Sequence, residues 1–200
     1  MPDKILFNNE SWLPTEKNLP ALIVYQEKSG GSHLTMTFVS NLFISGFKIL
    51  ILTAYPMARE NFLVQVGNND SKITFVSKIS QLEESKDMQV IILESGNEAL
   101  FFEAIKSLSD IRERIILIKN IEVFGGEMIE KCLDFKKIIL SGNIDTCVSK
   151  EKIMDSKFET YIVFNQPEIS FPIQIPVLEK YSGYLQSGTI RGVIKVMKND

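Results

Sequence analysis

The stretch from Ala21 to Thr53 constrains the fold more than any other part of the chain. It predicts, in order, a strand over residues 21–25, a loop over 26–33, a helix over 34–44 and a second strand over 47–53. Both strands are apolar runs, and the loop that joins the first strand to the helix contains paired glycines between serines. A strand that leads through a glycine-containing loop into a helix is typical of a phosphate-binding unit in an α/β protein.

Strands and helices continue to alternate after this stretch. Further strands are predicted at residues 73–76, 90–93, 114–118, 137–140 and 160–164. Helical segments are predicted at residues 57–66, 79–86, 97–108, 127–135 and 149–156. This alternation predicts an α/β fold in which a mostly parallel sheet is flanked by helices on right-handed crossovers.

The two ends of the chain differ from this pattern. Residues 1–20 are predicted to form an N-terminal arm, and residues 21–200 a single α/β domain. At the other end, residues 178–185 and 189–197 predict a C-terminal antiparallel hairpin with Gly188 in its turn. A chain of 200 residues is long enough to bury a sizeable core in one such domain.

Composition narrows the class of protein without selecting a function. Hydrophobic residues make up 44% of the chain and charged residues 24%, which is ordinary for a globular protein. The net charge of −3 gives no global case for nucleic-acid binding, although local basic patches remain open. The sequence shows no N-terminal apolar signal and no run of about 20 apolar residues, so we expect a cytoplasmic protein without a membrane partner. Cys132 and Cys147 lack metal-ligand spacing, and no metal site is predicted from them.

The glycine-containing loop departs from the Walker A motif, G-x-x-x-x-G-K-S/T. In that motif the backbone N–H groups surround the phosphates, the lysine neutralises their charge, and the hydroxyl binds Mg²⁺. Alignment with the motif puts Glu27 at the first glycine, Ser32 at the second, His33 at the lysine and Leu34 at the hydroxyl residue, with Thr35 one position late. All four signature positions therefore differ from the motif.

Several residues of the loop remain candidates for binding a phosphate group, because a helix N-terminus attracts anions. They are Lys28, Ser29, Gly30, Gly31, Ser32, His33 and Thr35. The spacing also allows Lys28 to take the place of the signature lysine in the deviant Walker A motif of the MinD/ParA group. His33 is the only histidine of the chain, and we expect an exposed loop residue there rather than a catalytic base.

The second part expected of an ATPase site is a carboxylate at the end of an apolar strand, because it would hold the water shell of Mg²⁺ or activate the attacking water. Glu94 follows the strand 90–93 and is the candidate catalytic residue in this Walker B-like position. The alternative strand, 115–118, ends in Lys119 where a carboxylate belongs. Glu94 could equally cap the helix that begins near Asn97.

The order of these elements over residues 20–197 resembles that of the RecA-like P-loop ATPases, the RecA/RadA/KaiC/DnaB type. Members of that superfamily bind ATP between the subunits of rings or filaments, and they act on DNA or on protein partners. Some relatives have lost the motifs and serve as non-hydrolysing subunits, as in the RecA-like subcomplex of Elongator.

This chain resembles the second kind more closely, because its Walker A motif is not intact. The resemblance implies a degenerate ATPase-fold protein that forms homo- or hetero-oligomers and acts as a non-hydrolysing assembly or regulatory subunit, with a possible link to DNA repair and recombination. The alternative is an active ATPase module that binds ATP and Mg²⁺ through an unorthodox loop, in which Lys28 or a partner's residue supplies the charge.

Overall fold

The computed structural model describes residues 3–55, 58–67, 70–93, 97–164 and 171–197. Within these ranges eleven strands form one mixed sheet. The strands are β1 (Lys4–Phe7), β2 (Glu10–Trp12), β3 (Ala21–Val24), β4 (Ile49–Thr53), β5 (Ile73–Val76), β6 (Val90–Leu93), β7 (Ile115–Lys119), β8 (Ile138–Gly142), β9 (Thr160–Val163), β10 (Gly183–Ser187) and β11 (Ile190–Met197). The helices are α1 (Gly31–Ile44), α2 (Ala58–Val66), α3 (Ser80–Glu84), α4 (Glu98–Ser107), α5 (Gly126–Cys132) and α6 (Lys150–Asp155).

The predicted fold class is confirmed. The strands lie side by side in the order β2-β1-β11-β10-β9-β3-β8-β7-β4-β6-β5. Every pair from β9 to β5 is parallel. The hairpin of β10 and β11 is antiparallel and joins the sheet through β9. The sheet is therefore mostly parallel, with an antiparallel extension at the C-terminal end of the chain.

Two apolar layers cover the parallel strands, which explains why their sequences are continuous apolar runs rather than alternating ones. Leu22 and Val24 of β3 point into the layer formed with α3, α4, α5 and α6. Ala21 and Ile23 point into the opposite layer, which α1 and α2 cover. Buried strands of this kind are among the easiest elements to predict from sequence.

The first strands of the chain extend the same sheet. β1 pairs with β11 along its whole length, from Lys4 opposite Met197 to Phe7 opposite Ile194. β2 then pairs with β1. This pairing covers the backbone edge that the hairpin would otherwise expose. The division into an arm of residues 1–20 and a domain of residues 21–200 stays a prediction.

The strand order decides which loops meet. The two neighbours of β3 are β8 and β9, and β7 lies beyond β8. Because these strands are parallel, their carboxyl ends lie at one edge of the sheet. The loop after β3 therefore faces the segments that follow β7 and β8. In the described ranges, no helix is both long and apolar enough to cross a membrane.

Candidate functional site

A cavity of about 1000 Å³ opens at the carboxyl edge of the parallel strands. The loop after β3 and the first turn of α1 line one side of it. Lys119, Asn120 and Glu122, which end and follow β7, line it together with Asn143, which follows β8. The predicted glycine-containing loop thus lies at the sheet edge where a phosphate-binding loop would belong.

The element bounds give a register for the loop that the sequence alone does not. Six residues, Tyr25 to Gly30, separate the end of β3 from the start of α1. The G-x-x-x-x-G part of a Walker A motif also spans six residues between its strand and its helix. In this register Tyr25 stands at the first glycine, Gly30 at the second, Gly31 at the lysine and Ser32 at the hydroxyl residue. The alignment that the sequence alone suggests lies two residues later, with Ser32 at the second glycine.

The two glycines have different roles in the loop. Gly30 caps α1 in the left-handed region, with φ of 96°, which glycine adopts without strain. Its carbonyl accepts the backbone N–H of Leu34 at 3.0 Å, the first hydrogen bond of the helix. Ser29 supports the turn before it, because its hydroxyl donates to the carbonyl of Gln26 at 2.7 Å.

Gly31 is required because Tyr25 lies against it. A Cβ at position 31 would overlap the Cβ and Cγ of Tyr25 and would lie 2.6 Å from its Cδ1. Any side chain at the lysine position of the motif would therefore begin in space that the tyrosine already occupies. The two departures from the motif, tyrosine for glycine and glycine for lysine, fit one another.

The Tyr25 hydroxyl is buried and makes no hydrogen bond of standard geometry within the described residues. Burial raises the pKa of Tyr25 to about 12, and the nearby hydroxyls of Ser141 and Ser32 act in the opposite direction. At neutral pH the group is therefore an uncharged phenol at the wall of the cavity. Its O–H lies beside these two hydroxyls and can donate to an acceptor in the cavity.

Lys119 contributes a buried positive charge to the cavity. The residue is 6% exposed and lines the cavity from the end of β7. Its Nζ lies 3.4 Å from Oδ1 of Asn120, and it forms no ion pair among the described residues. Burial lowers the pKa of Lys119, while the charge of Glu122 acts in the opposite direction. A buried lysine that forms no ion pair is costly and calls for an explanation.

Glu122 is a cavity carboxylate that no sequence motif indicates. Its Oε2 accepts the backbone N–H of Asn143 at 2.9 Å. A Cβ at Gly142 would overlap this oxygen, so glycine is required for the carboxylate to approach the end of β8. The hydrogen bond fixes Glu122 in the turn between β7 and α5, beside Lys119.

The structure brings together most of the residues that the sequence suggested for binding. Lys28, Ser29, Gly30, Ser32 and His33 all line the cavity. The first of these, Lys28, has an exposed side chain and a φ of 60°.

The other predicted binding residues lie apart from the open cavity or are already engaged. Thr35 is fully buried, and its hydroxyl donates to the carbonyl of Gly31 at 2.9 Å within α1. Gly31 is buried against Tyr25 and does not line the cavity. The Nε2 atom of His33 lies 2.9 Å from Oδ2 of Asp3. His33 is half-exposed and lies in the first turn of α1, not in the loop where the sequence places it.

Glu94, the predicted Walker B-like residue, lies outside the described residues. The strand before it, β6, is separated from β3 by β8, β7 and β4. The end of β7 lines the cavity instead. Lys119 stands there, in the position where a Walker B-like strand would have a carboxylate. The catalytic role of Glu94 stays a prediction.

Comparison with known proteins gives structural matches only. No protein-family model matches the sequence, and no curated protein matches it. The genome packaging NTPase B204 from Sulfolobus turreted icosahedral virus 2, solved with AMPPCP, is 12% identical with a TM-score of 0.56, over 94% of this chain and 100% of that chain.

Two further ATPase structures are similar as well. The structure of EssC ATPases 2 and 3 from Geobacillus thermodenitrificans is 12% identical with a TM-score of 0.57, over 100% of this chain and 41% of that chain. The cytoplasmic domain of the type VII secretion ATPase EccC from Thermomonospora curvata is 9% identical with a TM-score of 0.61, over 100% of this chain and 26% of that chain. At such identities the similarity concerns the fold alone. With the glycine-containing loop between β3 and α1 at the carboxyl edge of the sheet, it shows that the chain has a P-loop NTPase fold.

Proposed function

We propose that this protein is a degenerate P-loop subunit of the RecA-like kind, which does not hydrolyse ATP and serves in assembly or regulation. The observation that carries the proposal is the contact between Tyr25 and Gly31. A Walker A lysine neutralises charge on the transferred phosphate, and positioned charge supplies most of the catalysis in phosphoryl transfer. In this loop the lysine position is a glycine, and its side-chain space is filled.

The end of β7 supports the same proposal. A Mg²⁺ ion in a nucleotide site is held by oxygen ligands, commonly one or two carboxylates with the substrate phosphates. Lys119 stands there as a buried cation instead. Glu122, the nearby carboxylate, accepts the backbone N–H of Asn143. In the register set by β3 and α1, Ser32 offers a hydroxyl at the Ser/Thr position of the Walker A motif.

ATP turnover by the purified protein tests the proposal. With ATP and Mg²⁺ in excess, we expect phosphate release at the background rate. Robust hydrolysis that disappears in Glu94→Gln would reject the non-hydrolysing role and would make Glu94 the catalytic carboxylate.

A second candidate function is an active nucleotide-binding module with an unorthodox loop. Lys28 favours it, because this lysine lines the cavity from the loop side and has an exposed ammonium group. Under this alternative, Lys28→Ala lowers both ATP affinity and ATP turnover. Under the leading proposal there is no turnover for the substitution to lower.

Partners follow from the resemblance and remain part of the proposal. A subunit of this kind would work in a homo- or hetero-oligomer, which light scattering of the purified protein detects as a mass above that of one chain. DNA association is proposed alongside, and the similar structure of B204 is that of a genome packaging NTPase. DNA binding that weakens steeply with salt would support it, and a flat response would count against it.

A further inference from the structure

We propose that Lys119 takes the place of a metal ion, so that the cavity binds the phosphate groups of its ligand without a divalent cation. The inference rests on the proposed function, because it concerns what the same cavity binds when it does not hydrolyse. The ligand class is a compound with a terminal diphosphate or triphosphate, either a nucleotide or free pyrophosphate.

The first observation is the position of Lys119. Its side chain is more than nine-tenths buried, and it reaches the cavity from the strand end opposite the glycine-containing loop. Its one close polar contact in the described part of the chain is the Asn120 amide oxygen, at 3.4 Å. An ammonium group with so few partners retains donors for a phosphate oxygen.

The second observation is the Tyr25 hydroxyl on the loop side. Tyr25 is 6% exposed, and its hydroxyl, which has those of Ser141 and Ser32 nearby, makes no hydrogen bond of standard geometry among the described residues. A phosphate oxygen would accept its proton. A metal ion would not satisfy it, because a protonated phenol at neutral pH is a poor metal ligand.

The third observation is the N-terminus of α1, which opens onto the same cavity through Ser32. The helix has fourteen residues and no acidic side chain in its first turn. Its aligned peptide dipoles place partial positive charge at this end. Lys119 and the helix thus present positive potential from two sides of one cavity.

The charges that face Lys119 decide between an anion and a metal. Three carboxylates of the described residues line the cavity, those of Glu122, Asp3 and Glu27. Oε2 of Glu122 is hydrogen-bonded to the backbone N–H of Asn143 at 2.9 Å, Oδ2 of Asp3 lies 2.9 Å from Nε2 of His33, and Glu27 is exposed. A divalent cation in the cavity would meet the ammonium of Lys119 and the α1 N-terminus, which repel it. A phosphate group would meet the same two features, which attract it. The arrangement therefore favours phosphate binding without metal.

Calorimetric titration of the full chain tests this inference. ATP and pyrophosphate are titrated separately, once with EDTA and once with excess Mg²⁺. We expect binding of at least one of them in EDTA, with no gain in affinity from Mg²⁺. Binding of both indicates recognition of the phosphates themselves, and binding of ATP alone indicates recognition of a nucleotide. Absence of binding in EDTA, or an affinity that depends on Mg²⁺, overturns the proposal.

Variants of Lys119 show whether this residue is responsible for the metal-free binding. In EDTA, Lys119→Met should weaken binding by about tenfold or more, the usual worth of a charge-assisted hydrogen bond. Lys119→Asp should abolish binding in EDTA, and a return of binding with Mg²⁺ would show that the position controls metal dependence. Lys17→Met is the matched control, because Lys17 is exposed and precedes the amino end of β3. Equal affinity of Lys119→Met and the wild-type chain overturns the role of Lys119.

The outcome is separable from that of the proposed function. Binding is measured in EDTA, and hydrolysis is measured with Mg²⁺. Turnover with Mg²⁺ would reject the non-hydrolysing role, whatever the titration in EDTA shows. If the wild-type chain neither binds in EDTA nor turns over ATP with Mg²⁺, only the proposal about Lys119 is rejected. If Lys119→Met does not fold, the wild-type comparison of EDTA with Mg²⁺ still decides, and Lys119→Arg replaces it as a variant that keeps the charge.

Discussion

The side chain of Tyr25 occupies the space in which a side chain on Gly31 would begin. A Cβ on Gly31 would lie 2.6 Å from Cδ1 of Tyr25 and would overlap its Cβ and Cγ. In the register set by β3 and α1, these residues hold the first-glycine and lysine positions of a Walker A motif. The contact thus links two departures from the motif that look independent in the sequence.

Gly31→Ala should destabilise the protein, although glycine-to-alanine changes in a helix ordinarily stabilise it by roughly 0.5–1 kcal/mol. The new methyl group would overlap Tyr25, and overpacking of this kind costs about 1–3 kcal/mol. Urea denaturation measures the change. Gly126→Ala is a matched control, since Gly126 also begins a helix and its Cβ would meet only side-chain oxygens, those of Ser149 at 3.2 Å and Glu130 at 3.8 Å. Equal effects of the two substitutions would contradict the contact.

The pair Tyr25→Gly and Gly31→Lys should act cooperatively on nucleotide binding. Gly31→Lys alone places a side chain against the tyrosine ring, so we expect loss of stability without gain in affinity. The double variant opens the space and restores the motif at both positions. ATP affinity should then rise by about tenfold, as expected for one new charge-assisted hydrogen bond. A calorimetric cycle of the four proteins measures the coupling, and additive effects would refute it.

Lys119→Met should stabilise the ligand-free protein at neutral pH by about 1–3 kcal/mol, because it removes a poorly paired buried charge. Burial lowers the pKa of Lys119 below its ordinary value of 10.5, so the unfolded chain holds this proton more tightly than the folded one. The contribution of Lys119 to the free energy of unfolding of the wild-type chain therefore rises as pH increases through its lowered pKa toward 10.5.

The advantage of Lys119→Met over the wild-type chain should accordingly shrink as pH rises through the lowered pKa of Lys119 toward 10.5. Denaturation curves at several pH values follow the difference. Lys17→Met should change stability by less than about 0.5 kcal/mol at each pH, as exposed substitutions usually do. A difference that stays constant with pH would mean that the charge of Lys119 is not the cause.

Arg114 should be essential for stability although it lies away from the cavity. Its side chain is fully buried, and its Nε donates to Oδ1 of Asp110 at 2.8 Å. Its Nη1 and Nη2 donate to the carbonyls of Met88 and Lys86 at 3.0 and 2.9 Å. Arg114→Leu should cost about 2–5 kcal/mol in urea denaturation, because it leaves two carbonyls without their donor. The half-buried Asp110 carboxylate also loses one of its two cations and keeps Lys48. Arg112→Leu, at an exposed arginine two residues earlier, should be nearly neutral.

Much of the fold could be predicted because the parallel strands are buried on both faces. Strands β6 and β7 are continuous apolar runs, which marks them in the sequence without any knowledge of their neighbours. Their order in the sheet depends on pairing between distant segments, and no local pattern encodes it. For that reason residue type alone favours Glu94 over Lys119, whereas the cavity is lined by the end of β7.

The candidate site could be predicted only in part. The position of the loop followed from its glycines and from the strand before it. The register of the motif did not, because it depends on where β3 ends and α1 begins. No sequence motif includes Tyr25, Glu122 or Asn143. Their roles arise from contacts around the cavity. Thr35 fits the motif by type, yet its hydroxyl bonds within its own helix.

Steady-state phosphate release from ATP, measured with the purified full chain and excess Mg²⁺, tests the central claim most directly. With Tyr25 filling the lysine's space and Lys119 in place of a carboxylate, release should not exceed that of Glu94→Gln or of buffer alone. Release well above buffer, retained through purification and lost in Glu94→Gln or Lys28→Ala, would contradict the account.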